Sequence, residues 1–317
     1  MKKIVIIGVY FGTFQKNFNL WLKSCEYNPT IDFKIFTNQN LKSKIKNVEY
    51  INMPFEKFNK LIKKKIGNNF AVSSPYKCCD FKPVYGIILE DYIKEYDFWG
   101  HCDFDMIFGD IRHFITDEIL EKYDKILPLG HLSLYRNTTE VNNRYMDEGS
   151  NVGNYKEVFS RSKNVAFDEL CGIGQIYIKN NYSFYNKRIF ADISIMHKRF
   201  CLALNDKNYK YQVFYWEKGH IYRAYEENNK IKTEEFIYIH FKQRKYLEDL
   251  VNNKNDNFYI CDLGFITKAE GLPTLSDIKK YNKYKCQIYE IIEKVIFKIK
   301  FTIKGTIKRI KERINKE

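Results

Sequence analysis

Residues Ile4 to Tyr10 form an unbroken, mostly β-branched apolar run that passes directly into Phe11. A strand without polar alternation must be covered on both faces, which is the condition of a central strand in a parallel sheet. The run falls well short of the ~18 apolar residues a membrane span needs, and no small-residue cleavage site follows it, so it reads as a strand rather than a leader. The spacing then predicts a helix over Phe18–Cys25, strands over Asp32–Thr37 and Val48–Ile51, and a basic helix over Phe55–Ile66. Alternation of this kind builds a doubly wound sheet. A further helix is expected to open at Lys82-Pro83, where the first turn tolerates proline, and to run to about Glu95. Strands are expected over Lys125–Leu129 and Phe236–Phe241, whereas the polar stretch 136–165 reads as a mobile loop or an acceptor-facing insertion.

The expected fold class is therefore α/β: a Rossmann-like, mixed, mainly parallel sheet flanked by helices. A main domain over 1–272 precedes a different composition over 273–317. There Ile288, Ile291, Ile292, Val295, Ile296, Ile299, Ile303, Ile307, Ile310 and Ile314 recur every three or four residues, a helical stripe edged by lysine and arginine. Such a basic amphipathic tail suits an anionic membrane surface, with packing on its own domain or on a partner subunit as the alternative. The whole chain is cationic as well, with 53 basic against 39 acidic residues, which calls for an anionic partner. Nucleic acid is not expected, because no zinc pattern, recognition helix or RNA-binding aromatic motif accompanies the charge. The eight cysteines show no Cys-x-x-Cys pair and read as reduced thiols of a cytoplasmic protein.

Chemistry concentrates at His101-Cys102-Asp103-Phe104-Asp105, directly after the aromatic run Tyr96–Gly100. Strand alternation would send Asp103 and Asp105 to one side and Phe104 into the core, so that both carboxylates meet one hard divalent cation, Mn²⁺ or Mg²⁺. An ion held by one or two protein carboxylates keeps open positions, and nucleotide phosphates are their usual occupants. A late segment, Tyr238–Lys245, offers His240 as a third metal ligand, with Lys242 and Arg244 to neutralise a diphosphate.

Taken together, Val9-Tyr10-Phe11-Gly12, Trp21–Cys25, Cys79-Asp80-Phe81-Lys82-Pro83, Trp99–Asp105 through Ile111, and Ile239-His240-Phe241 resemble bacterial GT-A-fold glycosyltransferases of capsular and cell-surface polysaccharide synthesis. The resemblance covers about residues 1–250 and rests on a motif common to many such enzymes. It implies a GT-A-like fold, a nucleotide-diphosphate sugar donor, a divalent metal on Asp103 and Asp105, and a polysaccharide or lipid-linked acceptor. By matching motif it places Val9, Tyr10 and Phe11 beside the nucleoside, and Asp80 and Lys82 near ribose or phosphate. Transfer with inversion needs a carboxylate to take the acceptor proton. Asp168 is the preferred base and Glu169 a sugar-hydroxyl acceptor, with exchange of the two roles open.

The resulting expectation is a metal-dependent hexosyltransferase, peripheral at the inner face of the plasma membrane, moving a hexose from a UDP-sugar to a lipid-linked glycan. The rivals are a sugar nucleotidyltransferase, for which Gly8 and Gly12 alone supply no phosphate loop, and a non-enzymatic basic module binding membrane or nucleic acid.

Overall fold

The apolar run becomes β1 (Ile4–Tyr10), buried over its first five residues as a doubly covered strand must be. The computed structural model describes residues 1–203, 206–242, 247–251 and 255–314. They fall into two compact units, Met1–Phe190 and Ala191–Glu317.

The first unit carries β2 (Ile31–Thr37), β3 (Val48–Asn52), β4 (Phe98–Cys102), β5 (Met106–Phe108), β6 (Lys125–Ile126), β7 (Leu132–Arg136) and β8 (Phe184–Tyr185). Its main sheet has the order β3-β2-β1-β4-β7-β6-β8. The β3-β2-β1-β4 half is parallel throughout, and β7 runs antiparallel to both β4 and β6. With helices such as Phe18–Glu26 and Phe55–Lys65 packed on it, this is the expected α/β class with a mainly parallel sheet flanked by helices. Because the chain moves from β1 out to β2 and β3 and then returns to β4 on the other side, the strand order reverses between β1 and β4. Open α/β sheets bind ligands at the carboxyl ends of the strands at such a reversal.

Two local expectations are corrected. The helix from Lys82 to Glu95 is broken into Lys82–Val84, Tyr85–Ile88 and Glu90–Tyr92. Pro83 lacks a donor, and Gly86 is pressed so closely on Trp99 that a Cβ there would lie 2.5 Å from the indole, so packing rather than helix continuity sets this path. Nor is 136–165 a loose loop. Thr138 and Asn154 cap short helices over Thr139–Asn143 and Tyr155–Ser160, which bury Val141, Val158 and Phe159. Helices this short show too few repeats for periodicity to reveal them.

The second unit contains β9 (Ala191–Asp192), β10 (Gln212–Glu217), β11 (His220–Glu227), β12 (Lys230–Phe236), β13 (Tyr238–His240), β14 (Glu248–Leu250), β15 (Asn257–Cys261) and β16 (Gly264–Thr267). Its sheet has the order β12-β11-β10-β15-β16-β14 and is antiparallel except between β14 and β16. Lys218-Gly219 and Asn228-Asn229 join its hairpins with both residues of each turn at positive φ, as the twist of paired strands favours. β13 pairs in parallel with β9.

The boundary expected at 272/273 falls inside this unit. Thr274 and Asp277 form a capping box for the helix Leu275–Tyr281, and its Ile278 packs among Val213, Tyr215, Ala224 and Tyr259. One buried isoleucine thus ties the start of the supposed tail to the sheet. The long helix predicted beyond it is present as Gln287–Ile314.

Candidate active site

β4 ends at Cys102, and the chain bends before β5, so Asp103 is the first residue beyond the carboxyl end of a strand beside the order reversal. The bend is fixed from both sides. The Asp103 amide donates to the His131 carbonyl at 3.0 Å, and the Trp21 indole donates to the Asp103 carbonyl at 3.2 Å. Phe104 turns inward among Tyr10, Phe14, Phe18 and Trp21. Its ring occupies the space above Gly8, where a Cβ would approach it to 2.3 Å. The inward Phe104 was expected, but a bend replaces the strand alternation invoked for its neighbours. Asp103 and Asp105 are both half-buried, and their carboxylate oxygens approach within 4.8 Å of each other. Two hard oxygen donors converging at that range fit a hard divalent ion.

Lys82 joins this pair to a second acidic group. Its ammonium donates to Asp103 Oδ1 at 2.6 Å and to the Gly130 carbonyl at 2.9 Å, and it lies 3.1 Å from Asp168 Oδ2. Burial alone would depress this ammonium, but Asp103 and Asp168 outweigh it and hold the lysine well above its usual range. Asp168 is 4% exposed. Burial, followed by the charges of Glu169 and Asp103, raises its carboxyl to about 7 against the opposing pull of Lys82. Gly130 makes the arrangement possible, since a Cβ there would lie 2.3 Å from Asp168 Oδ2 and 3.1 Å from Glu169 Oε1. Glu169 itself is half-buried.

Beneath this group, Lys125 is fully buried and donates to the Leu127 carbonyl and the Ser133 hydroxyl. Burial lowers its ammonium to about 7, although Glu169 and Asp168 pull the other way. His101 on β4 is held well below its usual value by burial and by Lys82 and Lys125, and so is neutral. The sequence marks Lys125 only as part of a strand, and His101 only as the start of the acidic motif, with no chemical role given to either. In a chain with 53 basic residues, one buried lysine looks like any other until the fold encloses it.

Asp80, expected near ribose or phosphate, is completely buried instead. It pairs with Lys77 at 2.6 Å and accepts from the amides of Val165 and Phe167. Lys77 in turn donates to the carbonyls of Val158 and Lys163. Asp80 therefore shapes the turn that precedes Asp168. Ala166 in that turn has a φ of 62°, and Gly172 gives it room, because a Cβ there would meet the Phe167 carbonyl oxygen at 2.2 Å. Lys82, expected at the same phosphate, has its donors directed at carboxylates and a carbonyl.

At the end of β1, Tyr10 stacks on Phe14 at 4.8 Å and donates its hydroxyl to the Thr13 carbonyl. Phe11 packs edge-on against Phe55, and Val9 lies against the same core. All three stand at the carboxyl end of the central strand, with their apolar surfaces already partnered. In the second unit, His240 Nδ1 lies 3.0 Å from Asp192 Oδ1, and Lys242 Nζ lies 2.7 Å from Asp192 Oδ2. One buried carboxylate thus orients the predicted imidazole and pairs with the predicted lysine. Arg244 lies outside the described residues.

Residues 6–269 match a family described as a family of unknown function, DUF6625. No curated protein matches the sequence. Among solved structures, the chain is similar to the galactosyltransferase LgtC in complex with donor and acceptor sugar analogues, at 13% identity and a TM-score of 0.39, over 59% of this chain and 75% of that one. An active-site mutant of LgtC gives 13% identity and a TM-score of 0.37 over 59% and 75% of the two chains. Mouse xyloside xylosyltransferase 1 in its apo form gives 7% identity and a TM-score of 0.37 over 61% and 88%. The family match spans most of the chain and establishes membership: the protein belongs to the DUF6625 family.

Proposed function

We propose that this DUF6625 protein is a metal-dependent glycosyltransferase that moves a hexose from a UDP-sugar to a glycan acceptor, lipid-linked or polysaccharide, in surface polysaccharide synthesis. One observation carries the reading. Asp103, Lys82 and Asp168 form a continuous ion-paired bridge at the carboxyl end of β4, with Asp105 beside it, at the strand-order reversal where an α/β sheet receives its ligand. The bridge holds more acid than base. Such a site attracts a cation, and Mn²⁺ or Mg²⁺ on Asp103 and Asp105 would supply charge neutralisation for a departing diphosphate.

The chain's own residues divide the remaining work. Lys82 keeps Asp103 and Asp168 at fixed distances from one another. Asp168, with a carboxyl that titrates near neutrality, takes the proton of the acceptor hydroxyl as the acceptor oxygen bonds to the anomeric carbon and the bond from that carbon to the diphosphate oxygen breaks. Glu169, half-buried beside it, receives a sugar hydroxyl. Attack from the face opposite the diphosphate inverts the anomeric centre.

The test is a panel of UDP-sugars with Mn²⁺, following UDP release and the anomer of the product. One donor should stabilise the protein against heat and be turned over, and Asp103→Asn or Asp105→Asn should abolish turnover. Normal transfer by both variants would remove the metal role. Thermal stabilisation by polyanions alone would favour a binding module over an enzyme.

A further inference from the structure

The helix Gln287–Ile314 carries an aliphatic stripe on one side and a mixed surface on the other. At 3.6 residues per turn, Ile288, Ile291, Ile292, Val295, Ile296, Ile299 and Ile303 share one side, and Glu290 and Glu293 lie on the other together with the stacked rings of Phe297 and Phe301. The acidic side is the one fastened to the helix's own unit. Glu290 pairs with the buried guanidinium of Arg199, and Glu293 accepts from the Lys198 amide at 3.1 Å. Held by that face, the helix turns its aliphatic side away from the unit, and the seven residues are between 45% and 70% exposed.

Packing against its own domain therefore does not explain the stripe, since the contact is made by the wrong face for that purpose. Lys294, Lys298 and Lys300 are exposed along its borders, and the helix as a whole carries eight basic residues against three acidic. Among the described residues, no helix is long and apolar enough to cross a membrane. An aliphatic face edged with lysine on a helix about 40 Å long is the form that lies in the plane of a lipid surface, with apolar side chains below the headgroups and ammonium groups at the level of anionic phosphates.

We propose that Gln287–Ile314 docks in plane on an anionic lipid surface, and that Arg199 and Lys198, by gripping Glu290 and Glu293, set which face it offers. The experiment is co-sedimentation of the full chain with vesicles of phosphatidylglycerol and phosphatidylcholine, and with phosphatidylcholine alone. Binding is expected to the first and not to the second, and to weaken as salt is raised. Ile292→Asp with Ile299→Asp should reduce binding more than tenfold, and neutralising Lys294 or Lys298 with Gln should cost about fivefold each. These positions are exposed, and circular dichroism will confirm that the variants remain folded. Equal binding by the aspartate variant would overturn the proposal. So would a dimer dissociated by Ile292→Asp, which would give the stripe to a second copy, or an equal affinity for RNA that the same substitutions leave unchanged.

Discussion

Two buried lysines five residues apart, Lys77 and Lys82, use the same chemistry to different ends. Each ammonium has its three donors placed: Lys77 on Asp80 and the carbonyls of Val158 and Lys163, Lys82 on Asp103, Asp168 and the Gly130 carbonyl. The difference lies in the acids. Asp80 is matched one to one and closes its remaining acceptor sites on backbone amides, with nothing exposed. Lys82 answers two carboxylates at once, and Asp103 keeps 31% of its side chain in solvent with Asp105 beside it. A balanced, sealed pair can only hold structure. An acid excess that opens to solvent at a strand end leaves negative charge to be met by a proton, a cation or a ligand.

The comparison breaks most visibly at Asp80. Asp80→Asn strands the Lys77 charge in the interior and should cost about 3–5 kcal/mol of stability in guanidinium unfolding. A loss below about 1 kcal/mol would mean the pair is less sealed than its geometry implies. Asp168→Asn should do the reverse, lowering turnover about 10²–10⁴-fold while leaving the unfolding midpoint close to that of the parent.

The pH behaviour follows from the same carboxyl. The groups facing Asp168 are Lys82, Glu169, Asp103 and, more remotely, Lys125. A base that titrates near 7 gives a rate that climbs about tenfold per pH unit up to that point and then levels off, and Asp168→Asn should remove this limb. The stability sign is opposite to that of an ordinary ion-paired aspartate. Because the folded carboxyl is raised from 3.8 to about 7, its contribution is complete below the lower value and is lost as pH climbs to the upper one.

Lys125 sharpens the contrast from beneath. Its ammonium is lowered from 10.5 to about 7, so the folded state resists its charge and stability should rise with pH across that interval. Lys125→Met should erase about 2 kcal/mol of the difference between urea unfolding at pH 7 and at about pH 9. An unchanged slope would show that the lysine is solvated. The smallest effect is expected at Lys94, whose pair with Asp91 at 2.8 Å stands in solvent. Lys94→Ala should leave the unfolding midpoint unmoved, because exposed pairs gain little over hydration.

Much of the frame was readable in order along the chain. The β1 run and the helices at Phe18 and Phe55 follow from periodicity over many residues and occur within a residue or two of their expected ends, and the isoleucine stripe lies on one long helix, Gln287–Ile314. The second unit was less legible. Its hairpins turn on Lys218-Gly219 and Asn228-Asn229, signals of two residues each, and the expected boundary missed that Ile278 is core. At the site, Asp103, Asp105, Asp168 and Glu169 could be nominated by residue type and neighbours. The burial of Asp80 against Lys77 was not legible, because a carboxylate next to a helix start reads alike whether it faces a ligand or a buried lysine.

The sequence by itself determined the central strand, the placement of an acid pair directly after another strand, and an aliphatic stripe edged with lysine, because each is a pattern among neighbours in the chain. The tertiary structure alone decided that Lys82 would bridge Asp103 to Asp168 across 65 positions of sequence, that Asp80 would be sealed by Lys77, and which face of the last helix would look outward. The physical reason is that charge acts through distance and burial. Neither quantity exists for a side chain until the strands and turns that enclose it have been assembled.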